Sequence, residues 1–225
     1  MRSKNENSQL ESMEREVDDL RRGLTELRID SKTEIITQFR DYLRILHSYH
    51  GKLHLVSHRD YERISRRHFL PSLAAIEYLQ NHQRVCDVGA GAGFPSIPLK
   101  LVLPGLDLVI FESVAKKARF LQFLVEGLRL SGVEIRNERA EDYEGKQFDL
   151  MLFKAVGKIG KMLRVVDRLL LSGGEAVFFK SPAVNAELEQ AENIIRRRSY
   201  KTKVINISTP VEKLPLALVI ISKPS

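Results

Sequence analysis

The segment Arg84-Val85-Cys86-Asp87-Val88-Gly89-Ala90-Gly91-Ala92-Gly93-Phe94-Pro95 places three alternate glycines, Gly89, Gly91 and Gly93, between an apolar run and a helix-forming stretch. Glycines at that spacing let the backbone turn tightly and leave no side chain between main chain and ligand, so a cofactor can lie directly over a strand end. A plain tight turn would use the same residues, but the order strand, loop, helix is the one a binding loop needs. The loop lacks the Gly-Lys-Ser/Thr ending of a phosphate-binding loop. Phe94 stands where a dinucleotide fingerprint has its third glycine. A second apolar run, Leu108-Val109-Ile110-Phe111-Glu112, sets a carboxylate about 20 residues beyond the glycines, where it can accept hydrogen bonds from ribose hydroxyls. Glycine loop and ribose carboxylate without pyrophosphate features suit a nucleoside lacking phosphates, and S-adenosylmethionine is the candidate. Cys86 sits inside an apolar strand and reads as a small core residue rather than a nucleophile. Asp87 either holds the loop by local hydrogen bonds or faces the cofactor's amino-acid moiety, and both roles stay open.

Short apolar runs and amphipathic helices must position these groups. Strands are predicted at Val85–Val88, Leu108–Phe111, Val133–Arg136, Asp149–Phe153, Ala176–Phe179, Val204–Ile207 and Ala217–Ile221, with helices at Ser96–Leu103, Val114–Leu130, Lys158–Leu170 and Asn185–Arg197 between them. Strands joined by such helices need right-handed crossovers and form a parallel sheet covered on both faces. The link Ser208–Pro215 holds two prolines and is too short for a crossover helix, so the last strand is predicted antiparallel to its neighbour. Upstream, Leu10, Met13, Val17, Leu20, Leu24 and Leu27 are spaced like a coiled-coil seam that stops at Ser31 and Glu34. Fewer than about three heptads rarely sustain a coiled coil, so this is read as an amphipathic helix packing on its own chain. Ser31-Lys32-Thr33-Glu34 has capping-box spacing and predicts the start of a second helix that buries Ile35, Ile36, Phe39, Leu43 and Leu46 and ends at His50-Gly51. Residues 1–50 are thus an N-terminal helical extension, and 51–225 a Rossmann-like domain.

Composition narrows the function classes. With 43% hydrophobic and 29% charged residues the chain is globular, with neither the apolar poverty of a disordered chain nor the apolar run of about 20 residues that a membrane span needs. One cysteine cannot form an internal disulfide or a cysteine zinc site. The polar, acidic start is unlike a secretory signal, so a cytoplasmic location is expected. The net charge of +7 favours polyanionic partners. Residues 1–50 hold nine basic and ten acidic groups, and 51–225 hold 27 and 19, so the positive field belongs to the part carrying the glycine loop.

The run Asp87–Leu99 resembles the signature of the bacterial small-subunit rRNA guanine-N7 methyltransferases, also called glucose-inhibited division protein B. Leu53-His54-Leu55-Val56-Ser57, Arg67-His68-Phe69-Leu70-Pro71-Ser72-Leu73, Glu112–Leu121, Arg139-Ala140-Glu141 and Phe148–Ala155 resemble further motifs of that family, and the likeness spans roughly residues 20–223. It implies an α/β, Rossmann-like class I S-adenosylmethionine-dependent methyltransferase, with a seven-stranded, mostly parallel sheet, an antiparallel last strand and N-terminal helices in front. It also implies cofactor contacts at Gly89 and Phe94, at Ala140 and Glu141 near the adenine, and at Lys154. Gly91, Gly93 and Glu112 join this set on the physical reading. His54, Pro71 and Lys154 stand where the family usually has asparagine, aspartate and arginine, and Lys180-Ser181 where Lys-Gly is commoner. Lysine keeps arginine's charge but not its planar hydrogen-bonding fork.

The resemblance implies methyl transfer to N7 of a guanosine in 16S rRNA, free or in a small-subunit particle. Guanine N7 has a lone pair and no proton to lose, so no general base is required. The chain accordingly has no Asn/Asp-Pro-Pro-Tyr motif after the fourth strand, and Lys154 is the one candidate for a catalytic role. Arg66, Arg67 and His68 before the first strand, Lys158 after the fourth and Lys180 at the end of the fifth are candidate RNA contacts, phosphate being the expected target. Arg196-Arg197-Arg198 reads as a solvated helix end. No metal and no membrane partner is expected, and the chain is read as a monomer. Transfer to a small molecule or a protein, and a cofactor-binding protein without turnover, are the alternatives.

Overall fold

A computed structural model describes residues 4–79 and 84–225. The seven strands are β1 (Arg84–Val88), β2 (Asp107–Phe111), β3 (Val133–Arg136), β4 (Phe148–Lys154), β5 (Leu170–Lys180), β6 (Lys201–Ser208) and β7 (Pro215–Ser222). They form one sheet in the order β3-β2-β1-β4-β5-β7-β6. β1 to β5 are mutually parallel, and β7 runs antiparallel between β5 and β6. This is the class I methyltransferase architecture. The chain leaves β1 for β2 on one side and returns at β4 on the other, so the carboxyl ends of β1 and β4 flank the crevice where open α/β sheets bind ligands.

Period-two alternation divides the apolar residues between two faces. Val85, Leu108, Ile110, Leu150, Leu152, Val177, Leu218 and Ile220 face one core, which also holds residues of α1 (Lys4–Glu26), α2 (Thr33–Ser48), α3 (Leu70–Leu73), α4 (Ser96–Val102) and α5 (Ala115–Gly127). Cys86, Val109, Phe111, Met151, Phe153, Ala176, Phe178 and Val219 face the other, against α6 (Ile159–Leu169) and α7 (Asn185–Arg197). Each central strand is apolar on both faces because helices cover both.

In α1 the seam buries Val17, Leu20 and Leu24 in the first core, whereas Leu10 near its start is exposed. Two acidic residues on the same helix are buried. Glu16 accepts a hydrogen bond from the Ser65 backbone N–H, and Asp19 pairs with Arg66 at 2.9 Å and with Arg22. Both lock α1 against a π-helical turn, Ser65–Phe69, that runs straight into α3.

Two local expectations are corrected. The capping box does not form, because the N-cap of α2 is Lys32 and no side chain caps it. Ser31 lies one residue too early for its hydroxyl to meet the orphan N–H groups. β5 starts at Leu170 rather than Ala176, directly after α6. The register along β4 jumps from Phe148↔Leu170 to Leu150↔Glu175, and Gly173, at φ +75°, supplies the left-handed residue in the displaced stretch.

Candidate functional site

The glycine loop leaves β1 with Gly89, Gly91 and Gly93 all at positive φ, a region other residues enter at a cost of about 1–2 kcal/mol. Their surroundings differ. A Cβ on Gly93 would lie 2.6 Å from the Tyr42 hydroxyl, so that glycine lets α2 approach the loop, and the same hydroxyl donates to the Ala92 carbonyl at 2.7 Å. A Cβ on Gly91 would meet nothing within 4 Å, so the loop there presents bare backbone to open space. Gly91→Ala is therefore expected to lose only the backbone cost, about 1–2 kcal/mol, measured by urea unfolding.

Glu112 follows the last residue of β2 and is 5% exposed. One carboxylate oxygen accepts from the Gly91 N–H at 3.1 Å and the other from the Val114 N–H at 2.8 Å. A carboxylate offers about four acceptor positions, so two backbone donors leave half of its capacity for a ligand's hydroxyls. The Asn137 amide donates to the Glu112 carbonyl at 2.8 Å and ties the strand end to the segment after β3.

Beside the loop lies a cleft of 210 Å³ between the ends of β1, β2 and β4, whose walls include Gly89, Ser113, Ala140, Glu141, Val156 and Met162. The fold thus unites Gly89, Ala140 and Glu141, which lie far apart in sequence. Ala140 is buried and its carbonyl accepts from Arg168 at 3.0 Å, while Glu141 is exposed.

A buried polar cluster gathers around Phe94. The His68 ring stacks on Phe94 at 4.7 Å with planes 8° apart, and the Lys154 Nζ lies 4.9 Å from the centre of the same ring, an attractive cation–π placement. The Lys154 Nζ, the Asp87 Oδ1 and the His68 Nε2 are all buried without a hydrogen-bond partner among the described residues. The other Asp87 oxygen accepts from the Ser96 N–H at 3.2 Å, and His68 Nε2 lies 3.5 Å from the Asp60 carboxylate. Burial drives every titration here. It pushes Asp87 up to about 7 against the pull of Lys154, and pushes Lys154 down to about 8 against the pull of Asp87. His68 is pushed down to about 3 by burial and by the Lys154 charge, so it stands neutral at pH 7. With His68 Nε2 facing Asp60, the unsatisfied atoms of this cluster are Asp87 Oδ1 and Lys154 Nζ, two buried groups that could take a polar ligand. Cys86 is fully buried and its thiol is raised well above the ordinary range by burial, so it is no nucleophile.

The remaining cations divide by partner. Arg66 pairs with Asp19, Arg67 with Glu212 at 3.2 Å, and Lys180 with Glu187 at 2.8 Å. Lys158 donates to Gln190 at 3.2 Å. Arg59, Lys161 and Arg164 are exposed and have no ion pair among the described residues. Asp60 and Tyr42 were not singled out from the sequence. Tyr42 follows Phe39 by three positions on the buried face of α2 and so carried a readable signal, whereas nothing around Asp60 marks it. No group of three or more metal-ligating side chains occurs among the described residues.

The family described as rRNA small subunit methyltransferase G (GidB) matches residues 35–214. Ribosomal RNA small subunit methyltransferase G of Carboxydothermus hydrogenoformans is 35% identical over 191 residues, covering 82% of this chain and 81% of that protein. The protein of the same name from Staphylococcus carnosus is 36% identical, covering 68% of each. Among solved structures, ribosomal protein L11 methylase from Lactobacillus delbrueckii subsp. bulgaricus superposes with a TM-score of 0.57 at 16% identity, over 78% of this chain and 83% of that one. At that identity the likeness shows the fold alone.

Proposed function

The chain belongs to the rRNA small subunit methyltransferase G family, and from that membership we propose that it methylates N7 of a guanosine in 16S rRNA, with S-adenosylmethionine as the methyl donor. The observation that carries the cofactor assignment is the Glu112 carboxylate held under Gly91, where the loop presents unobstructed backbone. The surroundings of the loop fit the donor: the 210 Å³ cleft opens beside Gly89, Gly91 leaves open the space a Cβ would fill, and buried polar atoms of Asp87 and Lys154 have no hydrogen-bond partner among the described residues. When bound, S-adenosylmethionine supplies a methyl group activated by a positively charged sulfur.

The residues of this chain then have separable tasks. Glu112 would hold the ribose hydroxyls with its free acceptor positions, while Gly89 and Gly91 let the backbone come close. Phe94, Ala140 and Glu141 would line the nucleoside's walls. Asp87 and Lys154 would accept the charged amino-acid end, and the neutral His68 fixes the Phe94 ring from the side. Alignment is the main requirement, because in-line displacement depends on holding the reacting atoms at the right separation and angle. No side chain has to take a proton from N7. The exposed Arg59, Lys161 and Arg164 supply positive charge for rRNA phosphates. Arg66, Arg67, His68, Lys158 and Lys180 contribute to RNA binding as far as their present partners release them. No helix among the described residues is long and apolar enough to cross a membrane. A ribosomal substrate supports a cytoplasmic location, and we read the chain as a monomer.

The test is transfer of radiolabelled methyl to 16S rRNA and to small-subunit particles from a strain lacking the modification, followed by chemical cleavage at 7-methylguanosine. One labelled guanosine is expected. Label only elsewhere overturns the N7 assignment. Calorimetric binding of S-adenosylmethionine with no transfer to any RNA would favour a cofactor-binding protein without turnover, for which Lys154 in place of arginine is the motive.

A further inference from the structure

A cavity of 500 Å³ lies apart from the cofactor cleft, between α1, α2 and the turn that follows Ser57. Its walls include Ser12, Arg44, His47, His50, Tyr61 and Glu62. The exposed His50 ring stacks on Tyr61 at 3.9 Å with planes 30° apart. His58 meets the edge of His50 at 4.9 Å, and His47 that of Tyr61 at 6.0 Å. Tyr61 is 4% exposed, yet its hydroxyl is buried without a hydrogen-bond partner. A packed core has no use for such a group, since an unsatisfied buried hydroxyl costs stability.

We infer that this cavity binds an unpaired nucleobase of the RNA substrate, a nucleotide other than the one methylated. Its chemistry suits a base more than a phosphate. Stacked rings offer a flat π surface, on which single-stranded bases are held by aromatic and imidazole side chains. Glu62 accepts hydrogen bonds and repels anions. Burial lowers His47 below the ordinary histidine range, so it is neutral at pH 7, with one donor and one acceptor nitrogen. Arg44, exposed and paired with Asp41 at 2.9 Å, is the lining cation available to the backbone phosphate of the same nucleotide. The volume lies within the range of about 300–1,000 Å³ typical of small-ligand pockets.

One short stretch of chain links the cavity to the side chains beside the glycine loop. Tyr61 directly follows Asp60, whose carboxylate faces His68, and His68 lies on Phe94 beside the glycine loop. A base on the exposed His50 ring and a base over the cleft would therefore both border elements that this one stretch of chain connects. This second subsite rests on the reading of the chain as an rRNA methyltransferase.

The experiment uses the full chain with His50→Ala and His50→Phe. The KM for small-subunit rRNA is expected to rise about tenfold in His50→Ala, the scale of one lost base stack, with kcat and S-adenosylmethionine affinity unchanged. His50→Phe, which keeps a stacking face, is expected to restore the wild-type KM. Binding of a short unstructured oligoribonucleotide without cofactor, read by fluorescence anisotropy, is expected to weaken in parallel. An unchanged KM and anisotropy in His50→Ala overturn the subsite. So does a loss of self-association on sedimentation with no change in KM, which would make the cavity an interface between copies. If the wild type transfers no methyl but binds the oligonucleotide through His50, the reaction assignment falls and the base pocket stands. Should His50→Ala melt early, His50→Phe decides: a wild-type KM supports the stack and a raised one overturns it.

Discussion

Replacing Glu112 by alanine is expected to weaken S-adenosylmethionine binding about a hundredfold and to lower the stability of the protein without cofactor. Both effects come from one carboxylate. In the folded chain it satisfies the N–H groups of Gly91 and Val114, and it is almost wholly buried, so water cannot replace it without the loop opening. Leaving a buried donor unsatisfied costs about 1–3 kcal/mol. In the complex the same carboxylate would also accept from the ribose diol, and hydrogen bonds to a charged group contribute about 1.5–3 kcal/mol each. At about 1.4 kcal/mol per tenfold change in affinity, losing the diol contact and part of the loop's order gives the hundredfold figure. Glu112→Gln is expected to fall between, because its amide carbonyl can keep one backbone donor while its NH₂ faces a second donor. Isothermal calorimetry and thermal melting measure the two effects separately. Wild-type affinity in Glu112→Ala would show that the carboxylate only shapes the loop.

The parts of this site that could be read along the chain are those fixed by local pattern. The seven strands follow from apolar runs of strand length, and the antiparallel last strand from a Ser208–Pro215 link too short for a crossover helix. Glu112 was legible because the distance from the glycines to the end of the second strand is set by one helix and one turn. What was not legible depends on partners far away in sequence. Asp60 enters the site only because the π-helical turn brings His68 over Phe94. The positive charges of Arg66, Arg67 and Lys180 are plain in the sequence, but Asp19, Glu212 and Glu187 decide how free they are. The charge count of +7 therefore describes the field of the molecule and not which cations are open to a phosphate. The early start of β5 was hidden for the reverse reason, since Gly173 and Gly174 read as a turn although the strand pairs on both sides of them.

Lys154→Ala is the variant expected to cost most in turnover, with kcat/KM for methyl transfer reduced about a hundredfold, the scale of truncating one partner of a buried charge pair at about 2–5 kcal/mol. Its effect on stability should depend on pH in a set direction. Asp87 is raised by burial to about 7, so its contribution is fully present below its unfolded value of about 4 and is lost as pH rises through 7. Lys154 restrains that loss, because its charge pulls Asp87 down. Lys154 is itself lowered by burial to about 8, so its contribution is present above the ordinary lysine range and is lost as pH falls through 8. Deleting Lys154 removes a buried cation whose cost is borne at low pH, and leaves Asp87 to ionise alone at high pH. Both changes have the same sign, so the variant's stability relative to wild type is expected to be level below about pH 7 and to fall from there to about pH 10. His68 does not alter this window: lowered to about 3, it contributes stability that is present above 6.5 and lost only as pH falls toward 3. Lys154→Arg restores the charge with a fork that can reach Asp87 in two-pronged geometry, and is expected to recover turnover and flatten the pH difference. Urea unfolding at several pH values, alongside the methyl-transfer assay, tests both claims. A Lys154→Ala protein with wild-type turnover would remove the strand-end lysine from the machinery, and a pH-independent stability difference would show that Asp87 and Lys154 titrate apart.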